Sequence, residues 1–400
     1  MLPEGATAPR GWPPGFGDGP GEADALLALS CVGLTPRDLH ALVWETGSAS
    51  GCLRAIRGGR LGPVRAESAR AHSAPRIREA LRDAGARVIL PADPAFPEIL
   101  LDLPDPPAWL YAAGPGDPGR EALAVVGARD CSAYGREMAE RIGRGVAGAG
   151  VAVVSGAARG IDAAAHRGAL RAGPTVAVLG SGIDVPYPPS SRGLLERIVR
   201  TDAVVSEYPP GTKPSRQRFP ARNRLVAALG LATTVVEGDA GSGSLITAEF
   251  AMDLGRTVFA VPGNVTSDLA QAPNALLVDG ATPVRGPADI LECLQGRGGG
   301  AVAALGRAAS LLPPDAAGLS DDERRVLAAV VGEGCTADDV ARRAGVAIAA
   351  AVASLGALEL RGLVRVAGGR YSPPPAEPPG RDQNLRADQT SSPRSRMSPT

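Results

Sequence analysis

The sequence predicts an α/β protein on a doubly wound parallel sheet, with a helical domain before it and a winged-helix domain after it. Two observations carry the central part. Between Ala122 and Gly296, short apolar runs of strand length alternate with helical patterns, and each run is apolar at consecutive rather than alternate positions. Strands buried on both faces and separated by helices are the signature of parallel β-α-β units. A third observation sets the flanks: before and after this stretch the periodicity is helical, and Gly/Pro-rich segments mark the breaks.

In chain order, residues 1–22 are rich in Gly and Pro without periodicity and are expected to be disordered. Residues 23–82 read as short helices, with Thr35-Pro36 supplying an N-cap and a proline at the first helical position. The two helices around Val32-Gly33-Leu34-Thr35 suit a SAM-like or helix-hairpin-helix module. Residues 83–296 form the sheet domain. Its first part, from Val88 to Gly114, is too dense in proline for regular helix and reads as an extended segment packed against the sheet. Then come ALAVVG, VAVVSG, TVAVLG, AVVSE, ATTVVEG and TVFAVPG, the first five each succeeded by a helical stretch. Residues 297–318 have linker composition. Residues 319–372 carry a helix, a helix-turn-helix opened by a Thr336-x-x-Asp339 capping box, and two short strands about a Gly368-Gly369 turn, which together predict a winged helix. The tail 373–400 is Pro/Ser/Arg-rich and expected to be disordered.

Composition excludes several function classes. The chain has 42 basic and 42 acidic side chains, so binding to a polyanion must come from local clustering. Five dispersed cysteines, no C-x-x-C and three histidines argue against structural zinc and a disulfide framework, and suit a reducing compartment. No run approaches eighteen apolar residues and the N-terminus lacks an apolar signal core, so a cytoplasmic protein without a membrane span is expected. The G-x-G-x-x-G fingerprint is missing after the first strand, and the single lysine, Lys213, precedes proline rather than the Ser/Thr of a Walker loop. No cofactor is expected.

Ligands of an open α/β sheet bind beyond the carboxyl ends of its strands. Here those ends carry Gly127-Ala128-Arg129, the run from Ser155 and Gly156 to Gly160, Gly180-Ser181-Gly182, and Gly241-Ser242-Gly243-Ser244. One glycine turn is what tight βα connections need anyway. A whole edge of Gly and Ser with arginines reads as an anion face, because glycine lets backbone approach and helix N-termini present free N–H groups. The segment Ser206–Arg224 is the densest signal, holding Lys213, Arg216, Arg218, Arg222 and Arg224 against Glu207, with Phe219 among them. Cations interleaved with an aromatic describe a single-strand nucleic-acid groove. A solvated basic loop has the same charge, and lysine used in this one place favours function. Asp162 and His166, four apart on one helix face, read as a structural pair because no nucleophile is tied to them. The recognition-helix position of the winged helix, AIAAAVASLGALELRG, is nearly all Ala and Leu, which favours packing or protein contact over duplex reading.

In this order, VVGARDCSAYG, VVSGAARGIDAAAHRGAL, TVAVLGSGIDVPYPPSSRGLL, SEYPPGTKPSRQRFPARNRLVAALG and VVEGDAGSGSLITAEFAMDLGRTVFAVPG resemble the DprA/Smf family, DNA processing protein A, over about residues 23–372. The resemblance implies an extended Rossmann-like fold that binds single-stranded DNA, forms homodimers and loads the RecA recombinase in natural transformation, without catalysis. By motif position it implies DNA contacts at Gly127, Arg129, Ser155, Gly156, Lys213, Phe219, Arg222, Asn223, Arg224, Ser242, Gly243 and Ser244. Departures from the usual pattern are Ala128 where Ser or Thr is common, Glu237-Gly238-Asp239, Ala272-Pro273-Asn274 and Ser190-Ser191. The alternative is a nucleotide-processing enzyme of the phosphoribohydrolase type, whose Gly-rich signature the SGSLITAE turn faintly matches, with Glu249 as its base. A third reading is an adaptor that docks protein through the winged helix.

Overall fold

The structure is a computed structural model and describes residues 11–296, 320–330, 335–360, 363–367 and 370–372. Internal contacts divide the chain at residue 310 into two compact units. The expected linker 297–318 and tail 373–400 lie outside the described residues, as do residues 1–10 and the Gly368-Gly369 turn.

The first unit opens with five short helices: α1 Pro20–Ser30, α2 Pro36–Thr46, α3 Ala49–Arg57, α4 Pro63–Ala71 and α5 Ala74–Asp83. Proline stands in the first turn of α1, α2, α4 and α5, where its missing N–H is no loss. Thr35 caps α2 by accepting from the Asp38 amide at 3.1 Å, and Ser48 caps α3 by accepting from Gly51 at 3.0 Å. The structure differs from the expectation of disorder at residues 11–22. Phe16 is buried, Trp12 stacks on it at 4.4 Å, and the Glu22 carboxylate accepts from the Ala49 and Ser50 amides at the start of α3. Composition hid two aromatic anchors among glycines.

These helices share a core with Trp109 and with Tyr111 of the sheet. The sheet has nine strands: β1 Ala86–Ile89, β2 Leu110–Ala113, β3 Ala122–Val126, β4 Ala152–Ser155, β5 Thr175–Leu179, β6 Ala203–Ser206, β7 Ala232–Val235, β8 Thr257–Ala260 and β9 Thr282–Pro283. Their order is β1-β2-β6-β5-β4-β3-β7-β8-β9. Strands β3 to β9 run parallel, in the Rossmann-like doubly wound manner. The proline-dense segment departs from the all-parallel expectation: β1 and β2 form an antiparallel ribbon, and β2 joins β6 antiparallel.

Helices α6 Ala133–Gly148, α7 Ile161–Ala169, α8 Arg192–Thr201 and α12 Pro287–Gly296 cover one face; α9 Arg218–Leu229, α10 Gly243–Asp253 and α11 Gln271–Val278 cover the other. Consecutive residues of a strand serve opposite layers. Ala124 and Val126 pack under α9 and α10, while Leu123 and Val125 pack under α6 and α7, which is why the runs are apolar throughout. Each buried branched side chain contributes about 1.5–3 kcal/mol. Helices α6 and α7 meet backbone to backbone at Gly143, where a Cβ would lie 2.2 Å from the Ala165 carbonyl oxygen.

The second unit holds α13 Asp321–Ala329, α14 Ala337–Ala344, α15 Ile348–Leu360 and the antiparallel pair β10 Arg365–Ala367 and β11 Arg370–Ser372. Ser320 with Glu323, and Thr336 with Asp339, form capping boxes. Val326, Val340, Leu355, Leu358 and Val364 make a separate core, giving a winged-helix arrangement. The outer side of α15 presents Ile348 and Val352, not cations.

Candidate nucleic-acid interface

Strand order reverses between β3 and β7, so the loops at their carboxyl ends leave in opposite directions and a crevice opens. A cleft of about 680 Å³ lies there. It is lined by Gly127, Arg129, Phe219, Arg222, Asn223, Ser242, Gly243 and Ser244 of the expected residues, and also by Arg216 and Tyr187. Glu237 at the end of β7 holds its rim: the carboxylate accepts from the Ser132 amide at 2.9 Å and its hydroxyl at 2.5 Å, while the Glu237 carbonyl accepts from Ala128 N–H at 2.7 Å. The loop bearing Arg129 is thereby fixed against its neighbour.

Arg222 forms the floor. Only 4% exposed, it donates through Nη1 to the Gly156 carbonyl at 2.7 Å and to the Val178 carbonyl. A Cβ on residue 156 would sit 2.3–2.5 Å from this guanidinium, so glycine there is what admits it. Asp162 accepts from the Gly156 and Ala158 amides at 3.1 and 3.4 Å. Burial raises its carboxyl above the ordinary range, and the Arg222 charge opposes that rise. Ser155 is buried and donates to the Val125 carbonyl at 2.6 Å, linking β4 to β3. Ser155 and Gly156 therefore build the floor and lie outside the cleft lining, a correction to their expected contact role.

Arg224 is a second correction. It is 4% exposed, its Nη2 donates to both Glu207 oxygens at 2.6 Å, and Asp105 lies 3.9 Å from Nε. Its charge is spent inside the protein. Lys213 is exposed on the loop before α9; Arg216 of the same loop lines the cleft and Lys213 does not. Charge density alone could not rank the cations of one run. His166 bonds not Asp162 but Thr175 Oγ1, at 2.7 Å. Thr175 gives its own proton to the Val153 carbonyl, so His166 Nδ1 is the donor. Burial pushes its pKa down to about 3.

At the cleft mouth the Arg129 guanidinium sits 5.3 Å from the centroid of Phe219, and Phe219 stacks on Tyr187 at 5.3 Å. Sequence patterning missed Tyr187, which is 32 residues from Phe219 and shows no local signal. Opposite lies the start of α10, where the Ser242 hydroxyl accepts from the Ser244 amide and Asn223 Nδ2 donates to the Gly243 carbonyl at 3.2 Å. The positive end of the helix dipole thus meets the cleft. Glu249 is exposed on α10 and lies outside the lining. Among the described residues no group of three His, Cys, Asp or Glu could hold a metal ion, and no single helix is long and apolar enough to cross a membrane.

Residues 87–295 match the family model for DNA recombination-mediator protein A, and residues 311–370 match that for the DprA winged helix domain. The chain is 43% identical over 273 residues to the putative DNA processing protein DprA of Mycobacterium tuberculosis, covering 66% of this chain and 68% of that one. It is 41% identical over 201 residues to the DNA processing protein DprA of Streptococcus pneumoniae, covering 50% and 71%. The X-ray structure of DprA from Streptococcus pneumoniae superposes with a TM-score of 0.60 at 33% identity, over 66% of this chain and 95% of that one.

Proposed function

The chain belongs to the DNA recombination-mediator protein A (DprA/Smf) family, and from that premise we propose that it is a non-enzymatic carrier of single-stranded DNA. The observation that supports this reading is the Arg129–Phe219–Tyr187 stack facing the α10 N-terminus across a cleft floored by Arg222. Aromatic faces at the mouth suit unpaired bases, and each stacked base contributes about 1–3 kcal/mol. Phosphates meet Arg129, Arg216, the outward edge of Arg222 and the amides at Ser242–Ser244. Backbone and stacking contacts read no base edges, so binding is nearly independent of sequence. A paired duplex keeps its bases from the aromatic faces.

The same reading places the protein in the cytoplasm as a homodimer that hands single strands to the RecA recombinase during transformation or recombination. Family membership supports these assignments. The enzymatic alternative is disfavoured because Glu249, its one candidate base, lies outside the cleft lining, and Asp162 is engaged with backbone amides.

The test is binding of single- and double-stranded oligonucleotides across a salt series. With ~3–5 phosphates neutralised, log affinity should fall against log salt with a slope of about −2 to −3.5 for single strands. Equal affinity for duplex, or a slope near zero, would overturn the proposal. Release of free base from nucleoside monophosphates would favour the enzyme instead.

A further inference from the structure

Beside the cleft lies a second concavity of about 480 Å³, built from the β3–α6 loop, the first turns of α6, the β4–α7 loop, α7, and the start of α8 with Ser190 and Ser191 before it. Four arginines line it, Arg129, Arg136, Arg159 and Arg167, against one carboxylate, Asp130. Arg129 and Asp130 line both spaces, so they form the wall between them. The two spaces differ in one respect that decides their chemistry. The cleft has Phe219 and Tyr187; the second chamber has no aromatic side chain in its lining.

The balance of charge inside the chamber is positive. Arg159 reaches Asp130 at 3.4 Å, but the two side chains are 58% and 85% exposed, a screened pair that a phosphate can displace. Arg167 bonds Glu140 at 3.2 Å, a carboxylate that Arg171 also shares at 3.5 Å, so two cations divide one anion there. Arg136 has no ion pair among the described residues with a distance of 4.0 Å or less to a carboxylate. A cavity that is cationic, open and without stacking surface suits a sugar–phosphate backbone and not a base.

We propose that this chamber carries the backbone of the nucleotides adjoining those held in the cleft, so that one strand crosses at Arg129 with its bases gripped on one side and its phosphates alone on the other. The inference rests on the single-strand reading above. It predicts a site longer than the cleft, with an extra salt dependence supplied by Arg136 and Arg159, neither of which lines the cleft.

The test uses the full chain and fluorescein-labelled oligothymidylates of increasing length, with the Arg136→Gln/Arg159→Gln double variant beside the parent. Each lost phosphate contact flattens the single-strand salt slope by about 0.7, so the double variant should lose about 1.4 on long oligonucleotides. Between about 50 and 200 mM salt its affinity should therefore fall about 7-fold less than the parent's. The shortest oligonucleotides that bind should show no difference. The Arg136→Lys/Arg159→Lys variant keeps the charge and should restore the slope, which separates loss of cations from damage to the fold. Parental slope and length dependence in the Gln variant would overturn the proposal, as would equal losses at every length. Competition by inorganic phosphate at constant ionic strength, without any dependence on strand length, would assign the chamber to a free anion and overturn it too. If the parent binds no single strand at all, the function proposed above fails first.

Discussion

Replacing Arg224 by alanine should unfold the protein more readily rather than strip a contact from DNA. The guanidinium is 4% exposed and donates at 2.6 Å to both oxygens of Glu207, whose side chain is 11% exposed. Removing one partner of such a pair leaves the other charge buried without compensation, at about 3–5 kcal/mol. At about 2.1 cal/mol/K of unfolding entropy per residue, a unit spanning Met1–Ala309 shifts by about 1.5 °C per kcal/mol, so the midpoint should drop by about 5–8 °C. Substituting both partners by apolar residues of similar volume, Arg224→Met with Glu207→Leu, should recover most of that loss because neither charge then remains buried. Thermal melts monitored by circular dichroism measure the first effect; fluorescence anisotropy with a labelled oligonucleotide, well below the melting range, measures binding. An Arg224→Ala protein with parental melting and binding weakened tenfold or more would refute the reasoning and return Arg224 to the ligand.

Arg216→Glu should weaken single-strand binding by an order of magnitude or more, and Lys213→Glu by less, since Arg216 lines the cleft and Lys213 does not; the reverse ranking in a gel shift would place the strand over the outer loop. Gly143→Ala should destabilise by at least about 1–3 kcal/mol in a urea titration, because its Cβ would lie 2.2 Å from a backbone oxygen of α7; an unchanged midpoint would contradict the close helix contact. The His166 pKa, lowered by burial to about 3, sets a pH window. Between an unfolded value of about 6.5 and that folded value only the unfolded chain takes the proton, so this contribution is complete above pH ~6.5 and fades on acidification. His166→Asn should lack that component, and a parent–variant stability difference that stays constant from about pH 7 to about pH 4.5 would exclude it.

Much of the fold is legible in the residues because burial on two faces leaves a local mark. Leu123 and Val125 face one helical layer and Ala124 and Val126 the other, so the run must be apolar at every position. Caps are equally local: Thr35, Ser320 and Thr336 satisfy amides three residues away. The antiparallel β1–β2 ribbon left no such mark, since prolines dominate the connection, and neither did Trp12, whose ring also meets His40 of α2, nor Phe16, which joins the core of the helical layer.

The site divides along the same line. That strand ends rich in Gly and Ser would gather at one edge is a consequence of parallel connectivity, which the alternation of runs and helices already specifies. Which cation of the 213–224 run serves a ligand is not, because charge is a property of the residue and availability a property of its surroundings. Arg222 and Arg224 are two apart on α9 and both buried, yet one points to the carbonyl oxygens of Gly156 and Val178 at the cleft floor and the other to Glu207. Two positions along a helix turn a side chain by about 200°, and only the packing of β4 and β5 on one side and β6 on the other determines what each guanidinium meets.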